Sequence, residues 1–199
     1  VQTPPPCKLA IRILSWLFSK DGKNLEIRYG RLALWTGQKF KTRETQIIPK
    51  TKIISWKKEE FRKNKWNFNL FNLKYVDESY KLKDLYFLSE SVFNYGGNTR
   101  IRVKQHTEYI EKFLISFTNL NEGETNDSNN QKIIDAAKKE RDILGSIIAK
   151  PNINSGCKEI DDIKFPELSK KYKKLSDSIY LLKKKLNLNQ LNNLRSICS

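Results

Sequence analysis

Apolar and polar residues alternate along the first half of the chain and recur at steps of three and four along the second, which predicts strands followed by helices. The apolar run at residues 9–18 leads into Asp21-Gly22-Lys23, after which Leu25, Ile27 and Tyr29 alternate with Glu26 and Arg28. Asp-Gly between two apolar runs is the chemistry of a tight hairpin. We read the first run as a strand, although Cys7, Ala10, Ile11, Leu14, Leu17 and Phe18 also fit helical spacing and leave a buried helix open. Residues 31–35, 39–45 and 51–56 continue as short extended pieces punctuated by Gly30, Gly37 and Pro49, and together predict an antiparallel meander. Residues 57–84 show no clean period and suggest only a short helix at 58–65. Residues 85–94 and 99–106 read as a second hairpin closed by Tyr95-Gly96-Gly97-Asn98, where the glycines and asparagine can take positive φ. Thr107 and Glu108 then open an amphipathic helix with Tyr109, Ile110, Phe113, Leu114 and Phe117 on one side.

Beyond it the pattern changes. Residues 119–130 are polar with almost nothing to bury and predict a mobile linker. Ser128-Asn-Asn-Gln131 has the form of a capping box and starts a helix that stops before Pro151, with Ile133, Ala137, Leu144 and Ile147 on one face. A second helix begins near Pro166. It carries Leu168, Tyr172, Leu175, Ile179, Leu182 and Leu186 as a short coiled-coil seam. The expected fold is therefore α+β: an N-terminal antiparallel β-rich domain over residues 1–118, a linker over 119–130, and a C-terminal antiparallel helical hairpin over 131–199.

Charge changes the picture most. The chain of 199 residues holds 38 Lys and Arg against 22 Asp and Glu, a net charge of +16, which points to a polyanionic partner. Residues 1–66 hold 16 basic and 5 acidic side chains, so most of the excess lies in the first third. In the last third basic and acidic residues alternate as on solvated helix faces. No apolar stretch is long enough to span a membrane, and we expect no membrane partner. Three widely spaced cysteines and one histidine cannot assemble a structural zinc site, so no metal or cofactor is expected. An odd cysteine set suits a reducing interior, and we expect a cytoplasmic protein.

Two basic groups are candidate binding sites. Lys39, Lys41 and Arg43 share one face if residues 39–45 form a strand, and Lys50 and Lys52 repeat the spacing on the next piece. Trp35, Phe40, Trp56, Trp66, Phe68 and Phe71 are interleaved with these cations and are either core residues or stacking platforms for unpaired bases. Arg100, Arg102, Lys104 and His106 form a second alternating row suited to a phosphate backbone, if it is a strand.

The aromatic interleaving, and the absence of a basic recognition helix, favour RNA over DNA. The expected function is a non-catalytic RNA-binding subunit of a ribonucleoprotein assembly, ribosome-associated or RNA-guided, with a protein partner docking on the seam of the helical hairpin. Two other classes compete. Arg100 and His106 match the R-x(4–6)-H spacing of metal-independent ribonucleases of the HEPN type, a permissive spacing whose helical context is not what residues 99–106 suggest. A dimeric DNA-binding regulator would pair through the heptad seam. Asp162-Ile163-Lys164 fits the end of a PD-(D/E)-x-K nuclease motif only outside its usual strand context, and no phosphate-binding glycine loop is present.

Overall fold

A computed structural model of the chain describes residues 11–32, 39–63, 66–89, 99–151 and 158–197. Six strands come first: β1 (Ile11–Phe18), β2 (Asn24–Leu32), β3 (Lys39–Pro49), β4 (Ile53–Lys63), β5 (Trp66–Val76) and β6 (Leu82–Ser89). Helices α1 (Thr99–Thr118), α2 (Asp127–Ile148) and α3 (Pro166–Ile197) follow, with the short strands β7 (Ala149–Pro151) and β8 (Lys158–Ile160) between the last two. The protein is α+β, with its strands N-terminal and its helices C-terminal. It divides into two compact units, Val1–Tyr75 with Lys83–Asn126, and Val76–Leu82 with Asp127–Ser199.

In the first unit, β1–β2–β3 and β4–β5–β6 are two antiparallel meanders joined by parallel pairing of β1 with β6, giving the strand order β3-β2-β1-β6-β5-β4. The β1–β2 turn forms as its sequence requires. Gly22 takes φ +64, and the Asp21 carboxylate accepts the backbone N–H groups of Lys23 and Asn24 at 2.9 and 2.8 Å. These bonds stabilise the charged form and hold the Asp21 carboxyl below its ordinary value of 3.8.

The edge strands β3 and β4 are joined by only a 3-10 turn, Lys50–Lys52, so the sheet curls until its two edges meet at that corner. The amide side chain of Gln46 on β3 reaches the hydroxyl of Tyr75 on β5, donating at 2.6 Å. Inside the curl, Leu17, Leu25, Ile27, Ile48, Trp56, Phe71, Leu73 and Phe87 are buried, and Phe71 stacks on Phe87 at 5.5 Å. Helix α1 closes the core with Ile110, Leu114 and Phe117.

Several expectations fail here for identifiable reasons. Residues 58–63 are strand and not the expected helix, because Trp56 and Lys58 pair with Leu73 and Phe71 across the ladder; residues 64 and 65 of that expectation lie outside the described residues. The second hairpin does not exist either. Residues 99–106 are the first two turns of α1, and Thr107 is buried within the helix instead of capping it. Thr107, Ile110, Leu114 and Phe117 complete a stripe at steps of three and four, which takes the helix N-terminal of the position where the apolar residues alone would start it. The Tyr95–Asn98 turn lies outside the described residues. The segment before α2 is also tied down: Leu120 is buried, its carbonyl accepts the Trp56 indole N–H at 3.0 Å, and Gly123 donates its N–H to the Trp56 carbonyl at 2.9 Å.

In the second unit, α2 and α3 form an antiparallel hairpin whose connection pairs as the β7–β8 ribbon. Ala137 and Leu144 pack against Leu175 and Ile179, with Tyr80, Leu168 and Tyr172 around them. On α2, Ile133, Ala137 and Leu144 are buried as expected, and the face differs only at its end, where Ile148 is buried and Ile147 is exposed. Leu175, Ile179 and Leu182, the centre of the seam, are buried inside the hairpin. A protein partner docking on that seam, or dimerisation through it, would have to displace packing the chain already makes with itself. No described helix is long and apolar enough to cross a membrane.

Candidate nucleic-acid interface

An extra residue at Ser15 decides what the first sheet face presents. The β1–β2 register shifts between Leu14 and Trp16, so Leu14 and Leu17, three residues apart, both turn into the core. Trp16 and Phe18 turn outward. Across the strands Trp16 pairs with Arg28 and Arg28 with Thr45, while Phe18 pairs with Glu26 and Glu26 with Ile47. Paired residues share a face, so these six side chains make up the outer surface of β1–β3. Trp16 is 61% exposed and Ile47 60%. The Arg28 guanidinium lies 4.9 Å from the Phe18 ring centroid and the Lys20 amine 5.8 Å from it. An exposed indole beside an arginine stacked on a phenylalanine is the arrangement a base can stack on.

The inner face opposite carries a polar cluster at the rim of the core. Arg12 donates to the Tyr29 hydroxyl and, at 2.6 Å, to Gln46 Oε1, with its guanidinium 4.3 Å from the Tyr29 ring centroid. Tyr29 also meets Glu44 Oε2 at 3.4 Å. These bonds tie β1, β2 and β3 together and, through Gln46 and Tyr75, reach β5.

The outer face of β4–β6 differs in charge balance. Lys57 is paired with Glu59, and Lys74 with Asp84 at 3.2 Å. The hydrogen bond that Lys57 donates to the Glu59 carboxylate holds Lys57 above its ordinary value of 10.5, while burial pushes the Tyr86 phenol up. Lys57 and Lys74 are thus compensated within the fold. The first unit as a whole still carries 22 basic against 11 acidic side chains.

The sequence-predicted cations fall on three different kinds of element. Lys39, Lys41 and Arg43 lie on β3 as expected, with Arg43 opposite Gly30 and alternating with the inward Glu44. Lys50 and Lys52 are not on an adjacent strand: they sit in the 3-10 turn, and β3 and β4 occupy opposite edges of the sheet. Lys50 is half-buried, with its amine 5.6 Å from the Phe117 ring and its N–H donated to the Lys23 carbonyl at 2.7 Å. Arg100, Arg102, Lys104 and His106 belong to a helix, where 100° per residue sets i and i+2 on opposite sides, so they form no single row. In that helix six residues advance roughly 9 Å and turn roughly 240°, so Arg100 and His106 do not share a face. Asp162 lies in the turn before α3, where it pairs with Lys173 at 2.6 Å. The described residues contain no group of three side chains suited to a metal ion.

Among the interleaved aromatics, Trp56 and Phe71 are core. Phe40, Trp66 and Phe68 lie in strands, and Trp35 lies outside the described residues. Sequence reasoning missed Trp16, Phe18 and Arg28. Their signal was the odd spacing of Leu14 and Leu17, which no regular strand can bury on one side. Comparison with protein-family models, with curated proteins and with solved structures returned no match.

Proposed function

We propose that the chain is a non-catalytic RNA-binding subunit of an intracellular ribonucleoprotein assembly, and that single-stranded RNA lies across the outer face of β1–β3. Trp16 stacks one base, Arg28 on Phe18 offers a second planar surface, and Lys39, Lys41 and Arg43 along the β3 edge take phosphates. The single observation that supports this most is the 61% exposure of Trp16 beside Arg28 on an open sheet face. A stack on an unpaired base offsets the cost of hydrating the exposed indole. RNA is preferred to duplex DNA because an exposed indole on the outer sheet face can stack on a splayed base, which a duplex does not offer.

The test is fluorescence anisotropy with a labelled oligouridine across a salt series. Loss of one stacked base costs about 1–3 kcal/mol, so Trp16→Ala weakens binding roughly fivefold to 150-fold. With Lys39, Lys41 and Arg43 each on a phosphate, log K falls against log salt with a slope of about −2.1, and replacing these three cations flattens it by about 2. Unchanged affinity in Trp16→Ala, with an unchanged slope in the β3 variant, refutes the reading.

A further inference from the structure

In the second unit, the Val76–Leu82 segment and one face of α3 enclose a groove of about 320 Å³. Lys81 and Leu82 form one wall; Lys174, Leu181, Leu182 and Lys185 line the other. Lys174, Leu181 and Lys185 follow at steps of seven and four, a single stripe of the helix about 16 Å long. Leu181 is 51% exposed, and among the described residues none of the three lysine amines has an ion-pair partner. The wall opposite α3 is preformed. The Asp77 carboxylate accepts the N–H groups of Ser79 and Lys81, both at 2.9 Å, and Asp77 N–H donates to the Lys81 carbonyl at 2.9 Å. Tyr80 takes a left-handed φ of 58, which a tyrosine adopts only where its surroundings hold it there. Its ring packs against the α2–α3 core and its hydroxyl bonds Glu140, which pairs with Lys171 at 3.0 Å.

We propose that this groove docks an acidic segment of a partner protein that carries one bulky apolar side chain. The volume suits one large side chain seated over Leu82 and Leu182, and the three cations around the floor suit carboxylates on either side of it. Asp177, the one acid in the lining, repels a carboxylate placed between Lys174 and Leu181, so the acidic residues flank that point. This surface shares only Leu182 with the buried seam, and it does not depend on the RNA reading of the first unit.

The probe is a capped peptide with one phenylalanine flanked on both sides by glutamates, titrated into the isotope-labelled full chain and followed by NMR. Saturable shifts confined to residues 80–82 and 174–185 are expected. The peptide with glutamine for every glutamate binds about tenfold more weakly, and so does the wild-type peptide to a Lys174→Gln, Lys185→Gln chain, whose exposed substitutions leave the fold intact. Leu181→Ala, tested separately, weakens binding with no loss of the salt dependence. The proposal is overturned if the glutamine peptide binds equally, if no saturable shifts occur, or if the shifts map to β1–β3. It is also overturned if only phosphatidylserine vesicles bind and the lysine variant abolishes that binding, an outcome that assigns the groove to lipid.

Discussion

Trp56→Phe separates the two roles the sequence allowed that tryptophan. In the fold its ring is 2% exposed within the first core, and its indole N–H is the donor that satisfies the Leu120 carbonyl. Phenylalanine keeps an aromatic ring but leaves that buried carbonyl unpaired, at about 1–3 kcal/mol. The smaller ring also opens a cavity of about 40 Å³, worth about 1 kcal/mol at roughly 24 cal/mol per Å³. The expected loss is therefore about 2–4 kcal/mol, a large part of the roughly 5–15 kcal/mol of a typical domain. At a urea slope of about 2 kcal/mol/M this lowers the midpoint by about 1–2 M. Amide exchange locates the effect: the Gly123 N–H, bonded to the Trp56 carbonyl, loses protection first. RNA affinity stays within twofold of the wild type. A stability loss under about 1 kcal/mol, or an affinity loss matching that of Trp16→Ala, would refute the assignment of Trp56 to the core and Trp16 to the interface.

Asn130 is 2% exposed on α2, and neither of its amide atoms has a hydrogen-bond partner among the described residues; Asn130→Ala removes a desolvated group, improves helix propensity, and raises stability by about 1–2 kcal/mol in a thermal melt. Gly22→Ala meets no atom within 4 Å, so its cost is purely that of φ +64, about 1 kcal/mol by urea titration. Asp21 has a folded pKa below its unfolded value of 3.8, so its contribution is fully present above 3.8 and is lost as pH falls through the folded value. The stability difference between wild type and Asp21→Ala should accordingly be constant from neutral pH to about 5 and shrink below 3.8.

Legibility followed the range of the forces involved. The Asp21-Gly22 turn was readable because its hydrogen bonds close within four residues. So were both helices of the hairpin, whose seam repeats at the helical period and is buried at its centre, Leu175, Ile179 and Leu182. Residues 99–106 were not, since Thr-Arg-Ile-Arg-Val-Lys-Gln-His alternates as a strand would and only the burial of Thr107 under the sheet shows it to be helix. The interface was hidden for a related reason. A one-residue bulge at Ser15 reverses which of Leu14, Trp16, Leu17 and Phe18 face the core, and nothing in composition marks it. The strand expected to carry Lys50 and Lys52 beside β3 was misread because the proline before them breaks the strand into a 3-10 turn.

Ultraviolet crosslinking of the full chain to a photoreactive single-stranded RNA, with the crosslinked peptides mapped by mass spectrometry, tests the central claim most directly. The account predicts adducts within residues 16–28 and 39–47, lost from the first of these in Trp16→Ala. Adducts concentrated instead in residues 99–112 or on α3, and indifferent to Trp16, would contradict it.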